Sequence, residues 1–209
     1  MQNHKIEAVI FDLGNVLIDF DHTIAAGEIA QFSPKTPQEI FDLFFDSRLT
    51  GLFEAGKISP EDFFLRVKDI LRLKISYAEF LPIWNGIFFV SPKNRQVYQL
   101  AKKLKERYRL ALLSNVNALH FDYVKNNFAV FDAFHHVIAS FAEGVCKPDP
   151  RIYQRAIELL GVSCANRVFY TDDRAELIDK ARGLGIQSFV FKDLAQLMRD
   201  LAGAGVIFN

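Results

Sequence analysis

Five short runs of β-branched and aromatic residues, spaced by helix-length segments, constrain this chain more than any other feature. They lie at residues 7–12 (EAVIFD), 109–115 (RLALLSN), 136–140 (HVIAS), 167–173 (RVFYTDD) and 187–191 (QSFVF). Continuous apolar runs of this length suit strands buried on both faces of a parallel sheet. Alternation with helices implies βαβ units, and hence a doubly wound α/β domain. Ser91-Pro92 and Asp149-Pro150 each offer an N-cap followed by proline at the first helical position, which predicts helix starts. Gly161 and Gly185 are expected to close two helices.

Between residues 21 and 90 the pattern changes. β-Branched runs vanish and apolar residues recur at helical spacing, as in Phe63, Phe64, Val67, Ile70 and Leu71. Thr36-Pro37-Gln38-Glu39 and Ser59-Pro60-Glu61-Asp62 both carry capping-box spacing, so at least two helices begin inside this segment. The expected organisation is a sheet core built from residues 1–20 plus 91–209, interrupted by an all-helical cap over 21–90. Phe41, Phe44, Phe45, Phe53, Phe63, Phe64, Phe88 and Phe89 either line an apolar pocket or fill the cap's own core, and burial is the commoner fate of large apolar side chains.

Composition narrows the partners. Fifty per cent of the 209 residues are hydrophobic, and Lys+Arg and Asp+Glu each total 25. A good core is affordable, and no net field favours nucleic acid or an anionic membrane. Residues 1–8 carry charged and polar side chains with no long apolar run behind them, which predicts neither a leader nor a spanning helix and points to a cytoplasmic protein. Cys146 and Cys164 are too few for a disulfide framework and lack zinc-binding spacing. Nothing in the composition separates a monomer from a homodimer.

Ligands of open parallel sheets bind beyond the carboxyl ends of the strands. There the chain puts Asp12 after the first run, Ser114-Asn115 after the second, Lys147 in the approach to the helix after the third, and Asp172-Asp173 after the fourth. Three carboxylates so close cannot all stay ionised without cations, so Lys147 and a divalent metal with oxygen ligands are implied, and Mg²⁺ suits that demand.

At this point a resemblance is visible. VIFDLGNVLIDFD, LLSNVN, CKPDP and FYTDDRAE resemble, in order and along the whole chain, the four motifs of the haloacid-dehalogenase superfamily, and the helical insert resembles that superfamily's lid. DLGNV is similar to the subgroup that includes sugar-phosphate phosphatases such as glucose-1-phosphatase. The resemblance implies a Mg²⁺-dependent phosphohydrolase acting on a small phosphorylated metabolite. Asp12 would be the nucleophile that takes the phosphoryl group. The Gly14 carbonyl and Asp173 would join it around Mg²⁺, with Asp172 holding the metal directly or through water. Ser114, Asn115 (through its backbone N–H or its amide) and Lys147 would grip the phosphate, and Lys147 would neutralise charge as it develops.

One position departs from that pattern. Most phosphatases of the superfamily carry a second aspartate two residues after the nucleophile as general acid, and here that position is Gly14. The loss predicts a substrate whose leaving group hardly needs a proton, such as a hexose 1-phosphate, or a replacement acid drawn from Asp19, Asp21 or His22. It also leaves open a carbon–halogen hydrolase, which needs no metal, and a weakened phosphatase kept for binding or regulation.

Overall fold

The computed structural model describes residues 5–44 and 47–208. Among these residues are seven strands: β1 (Ala8–Phe11), β2 (Asp19–Phe20), β3 (Phe88–Phe89), β4 (Arg109–Ser114), β5 (His136–Ala139), β6 (Val168–Asp172) and β7 (Gln187–Val190). Each of the five predicted runs contains one of the five longer strands. These five form a parallel sheet in the order β5-β4-β1-β6-β7, with Phe11 level with Leu112 on one side and Thr171 on the other.

Strand alternation distributes side chains to two layers. Val9, Phe11, Leu110, Leu112 and Phe169 pack against residues of helices α6 (Pro92–Lys105), α7 (Ala118–Asn127) and α11 (Leu194–Gly203). Ala8, Ile10, Ala111, Leu113 and Tyr170 pack on the opposite face against α9 (Pro150–Leu160) and α10 (Ala175–Gly183). A short helix α8 (Ser140–Glu143) follows β5. The predicted caps are in place: Ser91 and Asp149 accept from the first-turn amides of α6 and α9, and Gly161 ends α9 with φ +61°. Gly185, just past α10, adopts φ +84°.

Helices α1 (His22–Ile29), α2 (Pro37–Phe44), α3 (Arg48–Glu54), α4 (Pro60–Leu71) and α5 (Tyr77–Asn85) lie between β2 and β3, which pair antiparallel at the base of the insert. The insert has its own core around fully buried Trp84, whose ring meets those of Phe44, Phe63 and Phe80. Phe44, Phe53, Phe63 and Phe64 are buried as expected, whereas Phe89 is 47% exposed. Phe45 lies outside the described residues. A tight seam joins the insert to the sheet's helices. Ser140 Oγ donates to the Glu54 carbonyl at 2.6 Å. Gly56, at φ +62°, approaches the Phe141 carbonyl so closely that a Cβ there would sit 2.1 Å from its oxygen. No helix among the described residues is long and apolar enough to cross a membrane.

Candidate active site

All seven residues singled out in the sequence, Asp12, Gly14, Ser114, Asn115, Lys147, Asp172 and Asp173, line one cavity of about 430 Å³ at the carboxyl ends of β1, β4 and β6. The backbone explains their convergence. Asp12 directly follows β1 and anchors its N–H on the Thr171 carbonyl of β6 at 3.0 Å, while Ser114 and Asp172 terminate β4 and β6. The far wall comes from the insert and its base, including Phe20, His22, Phe44, Thr50, Glu54 and Phe88. Arg48 and Lys57 point to solvent, and Trp84 belongs to the insert core.

Lys147 is the hub. Its Nζ lies 2.6 Å from Asp12 Oδ1 and 2.6 Å from Asp172 Oδ2, and all three side chains are nearly inaccessible. A buried ammonium survives only when so compensated. Burial alone would lower its pKa, but the two carboxylates outweigh that and drive it upward. Burial pushes Asp12 up to about 7, with the neighbouring Asp172 and Asp173 charges acting in the same direction and Lys147 against it. Asp172 is also buried, yet Lys147, Tyr170 and the Arg174 N–H hold it below the usual carboxylate range. Asp173, half-buried, is raised by burial and by Asp172.

One oxygen from each of Asp12, Asp172 and Asp173 lies within 4.8 Å of the other two. Three carboxylates against one ammonium leave excess negative charge, and an all-oxygen donor set suits a hard divalent cation. The three are not equivalent. Asp172 Oδ2 receives Lys147 and the Tyr170 hydroxyl, and Oδ1 receives the Arg174 N–H at 2.9 Å. Both of its oxygens are therefore committed to protein donors, which makes Asp173 the better placed of the adjacent pair for direct ligation.

Two expectations change in detail. The Asn115 side chain, a candidate phosphate donor, is spent on the Lys147 backbone, donating to its carbonyl at 2.9 Å and accepting from its N–H at 2.7 Å. It fixes the lysine, and its own backbone N–H is the group left for phosphate. Ser114 Oγ makes only a long 3.4 Å contact with the Asn115 carbonyl, so the hydroxyl turns toward a ligand at little cost. Of the replacement acids, Asp19 is held by Lys93 at 2.9 Å and Asn94 at 3.0 Å, and Asp21 caps α1 through Thr23. His22 alone of the three lines the cavity. Its pKa is lowered to about 4 by burial.

Gly14 has a steric reason. A Cβ added there would lie 2.7 Å from the Phe20 ring, so this aromatic side chain fills the space into which a residue at position 14 would project. Sequence reasoning missed three residues of the site. Tyr170 stands two residues before Asp172 on the same strand face, a signal that period-two alternation contains. Asn15 binds Asp173, and His120 sits at the cavity wall with Nδ1 3.0 Å from Asn117 Nδ2 and Nε2 3.1 Å from the Trp84 carbonyl. Those partners fix His120 as a neutral Nε2–H tautomer; burial lowers its pKa to about 3.

Comparison with known proteins identifies the family. A D-ribitol-5-phosphate phosphatase of Bacteroides thetaiotaomicron is 24% identical over 210 residues, spanning 98% of this chain and 99% of that protein. The crystal structure of a wild-type HAD family enzyme from the same organism, in complex with magnesium and inorganic phosphate, superposes with a TM-score of 0.80 at 28% identity, covering 93% of this chain and 100% of that one. An L-2-haloacid dehalogenase from Xanthobacter autotrophicus shares the fold at 22% identity and a TM-score of 0.63, covering 94% and 82%. The profile of the haloacid dehalogenase-like hydrolases matches residues 6–185, and the chain belongs to that family.

Proposed function

We propose that this chain is a Mg²⁺-dependent phosphohydrolase that transfers the phosphoryl group of a small metabolite to Asp12. The observation that carries the reading is the buried Asp12–Lys147–Asp172 cluster beside Asp173, at the floor of a cavity large enough for a small ligand. An Asp12 oxygen attacks phosphorus, the bond to the leaving oxygen breaks, and that oxygen takes up a proton. Water then attacks the aspartyl-phosphate, loses a proton, and releases inorganic phosphate with Asp12 regenerated. Lys147 balances charge on Asp12 and the transferring group, while Ser114 Oγ and the Asn115 N–H donate to phosphoryl oxygens. Asp12, Asp173 and the Gly14 carbonyl would hold Mg²⁺, with Asp172 oriented toward Lys147. Bound there, Mg²⁺ would supply electrostatic stabilisation of the phosphoryl oxygens. Helices within 21–90 serve as the cap over a core of residues 1–20 plus 91–209, closing the cavity from solvent.

The missing acid bears on the substrate. His22 is neutral at pH 7, and a neutral imidazole is a feeble proton donor. The site therefore favours leaving groups that need little protonation, and a hexose 1-phosphate meets that condition better than a 6-phosphate. A dehalogenase reading is disfavoured by the Asp172-Asp173 pair, whose charge next to Asp12 calls for a cation that carbon–halogen cleavage does not use.

The test is phosphate release from a panel of sugar phosphates and an aryl phosphate, by wild type and Asp12→Asn, with Mg²⁺ and with chelator. Expected is metal-dependent release that falls on the order of 10⁴-fold or more in Asp12→Asn, with 1-phosphates ahead of their 6-phosphate isomers. A faster 6-phosphate would sink the substrate assignment. Turnover of a 2-haloacid in chelator would install the dehalogenase reading instead, and silence on every compound would favour a binding role.

A further inference from the structure

Asn15 is one of two non-glycine residues with a left-handed backbone among the described residues, at φ +56°. Asparagine tolerates that conformation better than most side chains, but it still needs support from its surroundings. Here the support is extensive. The Asn15 N–H donates to the Ile18 carbonyl at 2.7 Å, and its own carbonyl accepts from Lys93 Nζ at 2.8 Å. Lys93 also pairs with Asp19 Oδ1 at 2.9 Å, and Asn94 Nδ2 reaches the same oxygen at 3.0 Å and the Val16 carbonyl at 3.2 Å. The loop after β1 and the start of the strand leading to the insert are thus pinned to the first turn of α6.

The outcome of this pinning is a single contact across 158 positions: Asn15 Nδ2 donates to Asp173 Oδ2 at 2.8 Å. A half-buried aspartate rotates about its terminal torsion and presents either oxygen unless a donor fixes one of them. Ligating carboxylates are commonly held in this way by an outer partner, whose loss weakens metal affinity or activity by about 10- to 100-fold.

We propose that Asn15 is a positioning residue that orients Asp173 toward a divalent cation, and that Lys93 maintains it by holding the left-handed turn. This rests on the Mg²⁺-dependent reading above. The device links loop and metal ligand through one amide, so it is separable from folding.

The experiment is calorimetric titration of the purified full-length protein with MgCl₂, for wild type, Asn15→Gly and Lys93→Met, alongside melting in metal-free buffer. Asn15→Gly is chosen because glycine keeps the left-handed backbone at least cost and removes only the amide. The expected result is a Mg²⁺ dissociation constant raised about 10-fold or more in Asn15→Gly, a smaller rise in Lys93→Met, and metal-free melting of Asn15→Gly close to wild type. In phosphate release, the same variant should recover at high Mg²⁺. A Mg²⁺ constant equal to wild type in Asn15→Gly, when wild type binds Mg²⁺ and releases phosphate, overturns the role of Asn15 and leaves the catalytic reading standing. Wild type that neither binds Mg²⁺ nor releases phosphate overturns both. Should Asn15→Gly fail to fold, Lys93→Met decides by the same criterion.

Discussion

Lys147 at the strand ends and His120 beneath the insert are both buried, but they keep opposite charge states. Lys147 stays protonated because two carboxylates at 2.6 Å replace its water. His120 stays neutral because its neighbours are Trp84, stacked at 4.6 Å, the Asn117 amide and a carbonyl. The same desolvation therefore acts on charge in the one region and has removed it in the other. The sheet concentrates ionic groups where β1, β4 and β6 converge, and the insert with its base brings Phe20, Phe44 and Phe88 to the opposite wall of the same cavity. A ligand that displaces water from that space strengthens each electrostatic contact on the ionic wall.

The comparison breaks most visibly at Lys147. In Lys147→Met, Asp12 and Asp172 remain buried without their cation, a loss worth about 3–5 kcal/mol near neutral pH. Phosphate release should fall by about 10²- to 10³-fold. In this variant both carboxylates would have folded-state pKa values above their unfolded ones. Stability would then be retained below about pH 4, where both states are protonated, and be lost as pH rises. Urea denaturation at pH 5 and pH 8 measures this, and a deficit independent of pH would mean that Lys147 acts by packing alone.

The seam between the insert and α7 should titrate with the opposite sign. His22 and His120 have folded pKa values of about 4 and about 3 against 6.5 unfolded. Each contributes stability fully present above pH 6.5 and lost as pH falls through 6.5 toward 4, to a limit of a few kcal/mol. Trp84, the single tryptophan of the chain, is in ring contact with both and reports on the insert by fluorescence. The slope of stability against pH between 6.5 and 4 should flatten in His22→Phe. An unchanged slope would assign the acid sensitivity to other groups.

What the sequence made legible divides along the same line. Asp12, Ser114 and Asp172 could be grouped because a parallel sheet carries the residue at each strand end to one place, whatever the helices between them do, and Lys147 because it lies in the segment that leads from β5 through α8 to α9. Helix starts at Ser59, Ser91 and Asp149 were readable because caps are local. The bonding of the Asn115 amide was not readable because its partner is a backbone 32 residues away. Asn15 was passed over because its partner lies 158 positions away. In the insert, helical spacing identified an apolar stripe but gave no means of separating Phe63, which fills the core, from Phe44, which reaches both core and cavity. That distinction depends on how five helices rotate against one another, and a single helix's pattern does not contain it.

The smallest and sharpest test lies where the two regions meet. If Gly14 were simply a lost acid, Gly14→Asp would restore it. Phe20 says otherwise: its ring would lie 2.7 Å from the new Cβ, and it is packed against His22 and Phe88 at centroid distances of 5.3 and 6.2 Å. Moving it is an overpacking problem, costing about 1–3 kcal/mol. Gly14→Asp alone should melt earlier and gain nothing on alkyl phosphates. Paired with Phe20→Thr, which frees the space, the new carboxyl group should accelerate alkyl phosphates by about 10²-fold while leaving an aryl phosphate nearly unaffected, since only the former needs its leaving oxygen protonated. A single Gly14→Asp enzyme that already gains on alkyl phosphates would mean that the aromatic wall yields readily, and that the ring, not the missing carboxylate, is the dispensable part.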